Sequence, residues 1–407
     1  MTCRAFFLAA AMLVAAVPFA APAWAAPAWA APAKIKAGIG GEDWGTTQKG
    51  DKVRLFTLTG KGGMVARITN FGGVVVDLMV PDRHGKPTNV VLGYDDFASY
   101  EKGGVYSALI GRYANRLSFK FLVDGKIYEQ PAPPPRPAPA GSAPPGSASQ
   151  PPRTYIQHGG SNGFQKRVWD AVAHDGPEPS LALTVKEADG TGGFPGNITV
   201  TVTYTVRADN TLVLDYKGTT DKPTVMNLTN HFYFNLNGGT KDISDEIVTL
   251  FSSRYTPFDA NAMPTGVVAS VTGTPYDFTK PVRIGDRLAL PDVVQTVANG
   301  VRIPGYDTSL LTDGVVGQLR PAARMDDPDT GIVMVTFTTQ PGLELYTDNI
   351  NTQVKGRKGA LYGNHWAISL ETQRAADTPN HPNFTSAEVT QARPLHEVTE
   401  YRFSTLK

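Results

Sequence analysis

The chain has almost no cysteine, few charged residues and little helical periodicity, and each shortage removes a class of protein. The single cysteine among 407 residues is Cys3. Without further thiols there is no disulfide framework and no cysteine-ligated metal site, so stability has to come from a hydrophobic core. Charged residues make up 18% of the sequence, with 38 Lys+Arg against 37 Asp+Glu. That balance offers neither a basic field for nucleic acid nor an acidic field for a cationic partner. A neutral small molecule fits it better than a polyanion. Long amphipathic helices do not alternate with the strand-like runs, which disfavours a parallel βαβ sheet. The only helix signals are short, at Asp95 to Tyr100 and around Ile284 to Ala289.

What the chain does have begins with an apolar N-terminus. Arg4 supplies a positive start and Ala5 to Ala21 is rich in Ala, Leu, Phe and Val. Ala23-Trp24-Ala25 and Ala28-Trp29-Ala30 place small residues where a signal peptidase reads them. Pro18 and Pro22 interrupt the run, which argues against a membrane-spanning helix of about 20 residues. Residues 1–30 are therefore expected to be a cleaved secretory signal, and the protein to be secreted or periplasmic. Removing Arg4 leaves 37 basic against 37 acidic residues in the mature chain.

Apolar residues, 41% of the chain, are enough for a substantial core, and they alternate at period two. Val53 to Thr59, Leu181 to Val185, Val333 to Thr338 and Tyr401 to Ser404 read as strands. Ile198 to Val206 alternates β-branched residues almost without a break. The turn signal Arg207 to Asn210 follows, then Leu212 to Tyr216, so this stretch reads as a β-hairpin. With 41 Gly and 32 Pro punctuating short runs, the pattern predicts an all-β antiparallel sandwich or barrel.

One segment stands apart. Residues 130–153, Gln130 to Arg153, are nearly all Pro, Ala, Ser and Gly. Such a stretch cannot bury enough apolar area to offset its ordering entropy, so it is expected to be a disordered or polyproline-II insertion. The chain otherwise reads as one domain over 35–407.

Three places carry residues suited to acid–base chemistry. His158 precedes Gly159-Gly160, whose backbone freedom allows a tight turn and sets the imidazole at a strand end. His231 lies in Asn227 to Leu236, where Asn227, Asn230 and Asn235 interleave with apolar residues on an expected strand. Amides both donate and accept, which suits a hydroxyl-rich ligand. Ala367 to Leu370 reads as a buried strand with Glu371 at its end, a setting for a raised pKa and base catalysis. A single His or Glu is more often structural than catalytic. It is the combination that points to proton transfer.

These motifs occur in an order that resembles the aldose 1-epimerase family. The resemblance runs through Asn115-Arg116, His158-Gly159-Gly160, Gly163 to Trp169, Asn227 to Leu236, Tyr306-Asp307, Thr339 to Thr347, Leu370 to Gln373 and Asp377 to Phe384. It spans roughly Leu55 to Phe403. It implies a large antiparallel β-supersandwich of the galactose mutarotase-like type, with no metal and no organic cofactor. It also implies interconversion of the α and β anomers of free aldoses such as glucose and galactose. Carried over by motif, Glu371 resembles the general base and His231 the general acid. His158, Asn115, Arg116 and Asp307 resemble the residues that hold and polarise the sugar. Glu344 stands where the family often has a sugar-holding Gln, and so is expected to add negative charge to the site. Gln157 and Thr308 replace a common Leu and a common His. The expected partner is a monosaccharide, with no nucleic acid, no membrane after signal cleavage, and a monomeric or weakly dimeric state.

Two other classes remain open on the residues alone. A sugar-binding module would need no acid–base pair. A glycoside hydrolase would need two spaced carboxylates, for which Glu371 and Asp307 are candidates, but it leaves His231 without a part.

Overall fold

Wherever the period-two pattern is long, the chain forms strand. Ile198–Val206 buries Ile198, Val200, Val202, Tyr204 and Val206 and turns the intervening threonines outward. Asn210, in the left-handed region at φ 60°, closes the expected hairpin to Thr211–Thr220, and its side chain accepts from the backbone N of Met64 at 3.0 Å. The computed structural model describes residues 36–131, 155–288, 290–296, 302–350 and 353–406. The expected signal segment 1–30 lies outside the described residues, as does nearly all of the Pro-rich insertion expected at 130–153.

Three antiparallel sheets carry most of the architecture. Gly38–Thr46, Lys52–Thr59, Val65–Thr69, Val75–Pro81 and Pro87–Asn89 form a sequential meander. The longest sheet has nine strands in the order Asp170–His174, Ser180–Glu187, Ile198–Val206, Thr211–Thr220, Leu395–Thr405, Ile332–Thr338, Arg320–Asp326, Ile247–Leu250, Val282–Arg283. The third runs Ala269–Ser270, Arg254–Thr256, Asp307–Leu311, Gly342–Tyr346, Ser369–Gln373. Among the described residues only Phe97–Glu101 and Ile284–Leu288 are α-helical, at the two places the sequence signals.

The third sheet sets its two faces apart by the pleat. Leu310, Leu343, Leu345 and Leu370 point into one large core cluster with Val200, Tyr204, Leu214, Met334 and Phe403 of the nine-stranded sheet. Each fully buried leucine contributes about 1.5–3 kcal/mol of transfer free energy. The register aligns Asp307 with Tyr346, Ser309 with Glu344, Glu344 with Glu371, and Tyr346 with Ser369. Those polar side chains therefore share the opposite face. An apolar core on one side and a polar row on the other is what positions the site.

Two expectations change here. Glu371 is mid-strand rather than at a strand end, because Ser369–Gln373 pairs over its whole length with Gly342–Tyr346. Asn227 to Leu236 is not one strand. Only Thr229–Asn230 pairs as such, while backbone N–H groups of His231, Phe234 and Asn235 donate to Ala108, Ile368 and Val90 on different segments.

Candidate active site

The site is assembled around the polar row from segments far apart in the chain. Glu371 is 2% exposed and His231 4% exposed, and their facing atoms, Glu371 Oε1 and His231 Nε2, are 3.4 Å apart. The other ring nitrogen of His231, Nδ1, lies 3.2 Å from Ser369 Oγ. Ser369 sits two residues before Glu371, so a single strand orients the histidine and presents its partner. Tyr233 stacks on the His231 ring at 5.1 Å and 15°, and Tyr106 stacks on Tyr233 at 4.2 Å. Phe232 and Phe234 face the other way, into the main core beside Tyr401. The segment thus divides its aromatics, with tyrosine toward the site and phenylalanine toward the core.

His158 follows the strand Tyr155–Gln157, which pairs with Arg116–Ser118. It takes φ 53° and is clamped to Asn115: its N donates to the Asn115 carbonyl at 2.9 Å, and the Asn115 N donates to His158 Nδ1 at 3.3 Å. With Nδ1 accepting, a neutral His158 would carry its proton on Nε2, which lies 3.4 Å from the side-chain amide of Gln157. Gly159, at φ 74°, leaves no room for a side chain, since a Cβ would meet the carbonyl oxygen of Gly111. The rings of His158 and His231 are 5.4 Å apart.

Arg116 is 2% exposed and pairs with Asp307 at 2.5 Å, while its other terminal nitrogen donates to Asn115 Oδ1 at 3.0 Å. Burial works to lower the guanidinium pKa, but Asp307 beside it holds it above the ordinary value. Gln295 donates to the same Asp307 oxygen at 2.6 Å and is itself held by Asn349 at 3.1 Å. Asp377 secures Arg116 from behind, donating its N to the Arg116 carbonyl at 2.8 Å and accepting from Ser118 through both carboxylate oxygens.

Burial acts against charge on the central pair. It pushes Glu371 well above the usual carboxylate range, with Asp307 adding to the rise and Arg116 opposing it. It pulls His231 down to about 4. Burial thus brings the proton affinities of the two groups toward each other. Glu371 Oε2 has no hydrogen-bond partner among the described residues.

All seven residues expected from the sequence, Glu371, His231, His158, Asn115, Arg116, Asp307 and Glu344, meet in this region through the contacts above and the register of the third sheet. Glu344 belongs to the same polar row. It is 1% exposed, directly opposite Glu371, and accepts from Ser309 Oγ at 2.6 Å. Burial raises its pKa well above the carboxylate range, with Asp307 adding to the rise and Arg116 opposing it. The three asparagines change role. Asn227 is bonded to Arg374, Asn230 to Tyr216 and Tyr401, and Asn235 to Lys241, Trp366 and Gly239. Their amides are spent on the fold, not offered to a ligand. Thr308 falls on the reverse face of its strand, and Gln295 and Arg116 hold Asp307 instead. Ser369, Tyr106, Tyr346, Gln295 and Ser309 were not expected as site residues. Strand alternation signals Ser369, Tyr346 and Ser309 only once the register is known. Among the described residues no cluster of three or more His, Cys, Asp or Glu side chains takes a metal-binding arrangement.

The model of the aldose 1-epimerase family matches residues 54–401. The chain belongs to the aldose 1-epimerase family, and so to the isomerases. Rat galactose mutarotase is 34% identical over 342 residues, covering 83% of this chain and 90% of that protein. The aldose 1-epimerase of Escherichia coli K12 is 30% identical over 359 residues, covering 87% and 96%. The crystal structure of an aldose epimerase homologue from C. elegans superposes with a TM-score of 0.73 at 26% identity, covering 86% of this chain and 98% of that one. That of a galactose 1-epimerase from Lactobacillus acidophilus NCFM also gives 0.73, at 22% identity over 91% and 100%, and supports the fold. This epimerase therefore has the galactose mutarotase-like β-supersandwich.

Proposed function

We propose that this epimerase interconverts the α and β anomers of free aldohexoses, glucose or galactose, by acid–base opening and closing of the ring. The observation that carries the reading is the buried Glu371–His231 pair at 3.4 Å in a chain of this family. Ring opening has to remove the proton of the C1 hydroxyl as the C1–O5 bond breaks and O5 gains a proton. Glu371 Oε1 takes the first proton and His231 Nε2 delivers the second. Rotation about C1–C2 turns the other face of the aldehyde, and closure reverses both transfers. The pair starts with one proton and ends with one, so a turnover needs no exchange with solvent. Each transfer is of the kind that contributes about 10²–10⁴-fold to a rate.

The remaining residues have compatible parts. His158, holding its proton on Nε2, donates to a sugar oxygen and polarises the reacting centre. Arg116, Asp307 and Asn115 form a fixed polar bracket for hydroxyls. The Tyr106–Tyr233 stack offers an apolar face for the sugar's C–H surface. Polarimetry on freshly dissolved α-glucose and α-galactose tests the reading, which predicts faster decay of optical rotation with protein than without. No acceleration for any common aldose would end it.

Export belongs to the same proposal. Its support is the Arg4 start, the apolar run and the two Ala-Trp-Ala sites. Mass spectrometry of the protein recovered from its native host should find a chain beginning at Ala26 or Ala31. A retained Met1 or Thr2 in the exported protein would contradict cleavage.

A further inference from the structure

The site contains three carboxyl groups on adjacent strands, and among the described residues only two of them lie within ion-pairing distance of a basic side chain. Asp307 is matched by Arg116 at 2.5 Å. Glu371 is matched by His231 at 3.4 Å. Glu344, between them in the sheet, lies opposite Ser309 on one neighbouring strand, with Asp307 two residues along that strand, and opposite Glu371 on the other. Arg116 is already committed to Asp307, and Glu344 accepts a hydrogen bond from a neutral hydroxyl, that of Ser309. Its second oxygen, Oε1, is buried and has no hydrogen-bond partner among the described residues.

An uncompensated carboxylate at 1% exposure is among the costliest groups a protein can bury. Placing it opposite a second carboxylate, where Cβ atoms of directly paired residues approach to about 4.5–5.5 Å, adds repulsion to that cost. Two carboxyls so placed favour a single negative charge between them. Resting on the epimerase reading above, we propose that Glu344 is a specificity-determining acid: it stays protonated at neutral pH, accepts from Ser309 through Oε2, and donates its own proton from Oε1 to an oxygen of the bound sugar. In this state it offers one donor and one acceptor, as an amide does, where an ionised carboxylate could only accept. It also keeps the negative charge on Glu371, where the base is needed. Ionisation of Glu344 at alkaline pH removes the donor, repels Glu371 and weakens sugar binding. The effect belongs chiefly in KM, at up to about tenfold for one neutral hydrogen bond.

Infrared spectroscopy of the full chain, without sugar, reads the proton directly. A protonated-carboxyl C=O band that is present at neutral pH in the wild type and absent in Glu344→Gln is the expected result. It should bleach at the alkaline pH where wild-type kcat/KM declines through KM. In Glu344→Gln, the profile of kcat/KM normalised to its own maximum should lose that alkaline limb. If the variant does not fold, the side-chain carboxyl resonances of 13C-labelled glutamate in the wild type carry the same test through one that stays in its protonated position at neutral pH and titrates with the limb. No Glu344-dependent band at neutral pH, or an unchanged alkaline limb in a folded Glu344→Gln, overturns the assignment. Normal mutarotation without the band defeats this inference alone. The band in a protein inert toward every aldose defeats the functional reading alone.

Discussion

At the scale of single residues, the site depends on burial more than on unusual chemistry. Glu371 and His231 are ordinary side chains whose affinities for a proton are pushed toward each other because neither can reach water. Glu371→Gln keeps the shape and removes the base. Its kcat should fall at least about 10²-fold, with the folded structure retained by circular dichroism. His231→Asn should lose a similar factor, since it removes the proton donor while a short amide still reaches toward Ser369. A Glu371→Gln enzyme with wild-type kcat would mean the base is elsewhere. Arg116→Met tests the bracket differently. It leaves Asp307 charged and largely buried with Gln295 alone, and truncating one partner of such a pair costs about 3–5 kcal/mol. Urea unfolding should show a loss of that size, and a loss below about 1 kcal/mol would place Asp307 in contact with water. The identities of Glu371, His231 and Arg116 were legible in the sequence. Their shifted proton affinities were not, because the burial and the facing carboxyl groups that cause the shifts exist only once the chain is folded.

At the scale of elements, short-range order was legible and long-range register was not. Ile198–Val206 and its hairpin follow from alternation and a turn, all within the continuous stretch Ile198 to Thr220. Nothing local says that residue 344 lies opposite 371, or 307 opposite 346, because those strands meet only when the third sheet closes. Tyr106 and Gln295 are harder still, the first lying in a turn and the second on a three-residue strand, Val294–Thr296, too short for a period to be read. The reversed roles of the asparagines have the same origin, since an amide that faces a tyrosine hydroxyl or a backbone carbonyl looks, in sequence, like one that faces a sugar. The His158 turn gives this scale its prediction. Gly159→Ala puts a methyl group against the Gly111 carbonyl at a positive φ. It should displace His158 from Asn115 and cut kcat/KM by about tenfold or more, a 1 Å misplacement in a site being enough for such losses. Full activity would show that His158 needs no fixed position. Deleting Pro131 to Pro152 should leave kcat within about threefold, as expected for a surface insertion. A collapse of kcat would make that segment part of the catalytic cycle.

At the scale of the whole molecule, buried titratable groups set opposite limits on stability. His231, pulled down to about 4 from an ordinary 6.5, binds its proton more weakly folded than unfolded. Its contribution is complete above 6.5 and is lost as pH falls toward 4. Glu246 acts in the reverse sense. It is fully buried, accepts from the Leu236 N at 2.7 Å, and burial raises its pKa well above the carboxylate range. Its contribution is complete below about 4.5 and is lost as pH rises through its folded value. Urea midpoints across pH should therefore fall at both ends, with His231→Asn flattening the acid side and Glu246→Gln the alkaline side. Unchanged slopes in both variants would mean that these groups are hydrated in the folded protein. The all-β class was legible at this scale because scarce cysteine, scarce helix periodicity and frequent Gly and Pro all exclude the alternatives. The layering, with one face of the third sheet given to the core and the other to chemistry, emerges only from the register.

The most direct test of the proposed reaction is polarimetry with α-glucose and α-galactose, run side by side on the wild type and on Glu371→Gln. Acid–base ring opening by the Glu371–His231 pair predicts rapid loss of excess rotation with the wild type and a decay close to the buffer rate with the variant. Equal decay with wild type and buffer, or equal acceleration by wild type and Glu371→Gln, would contradict it.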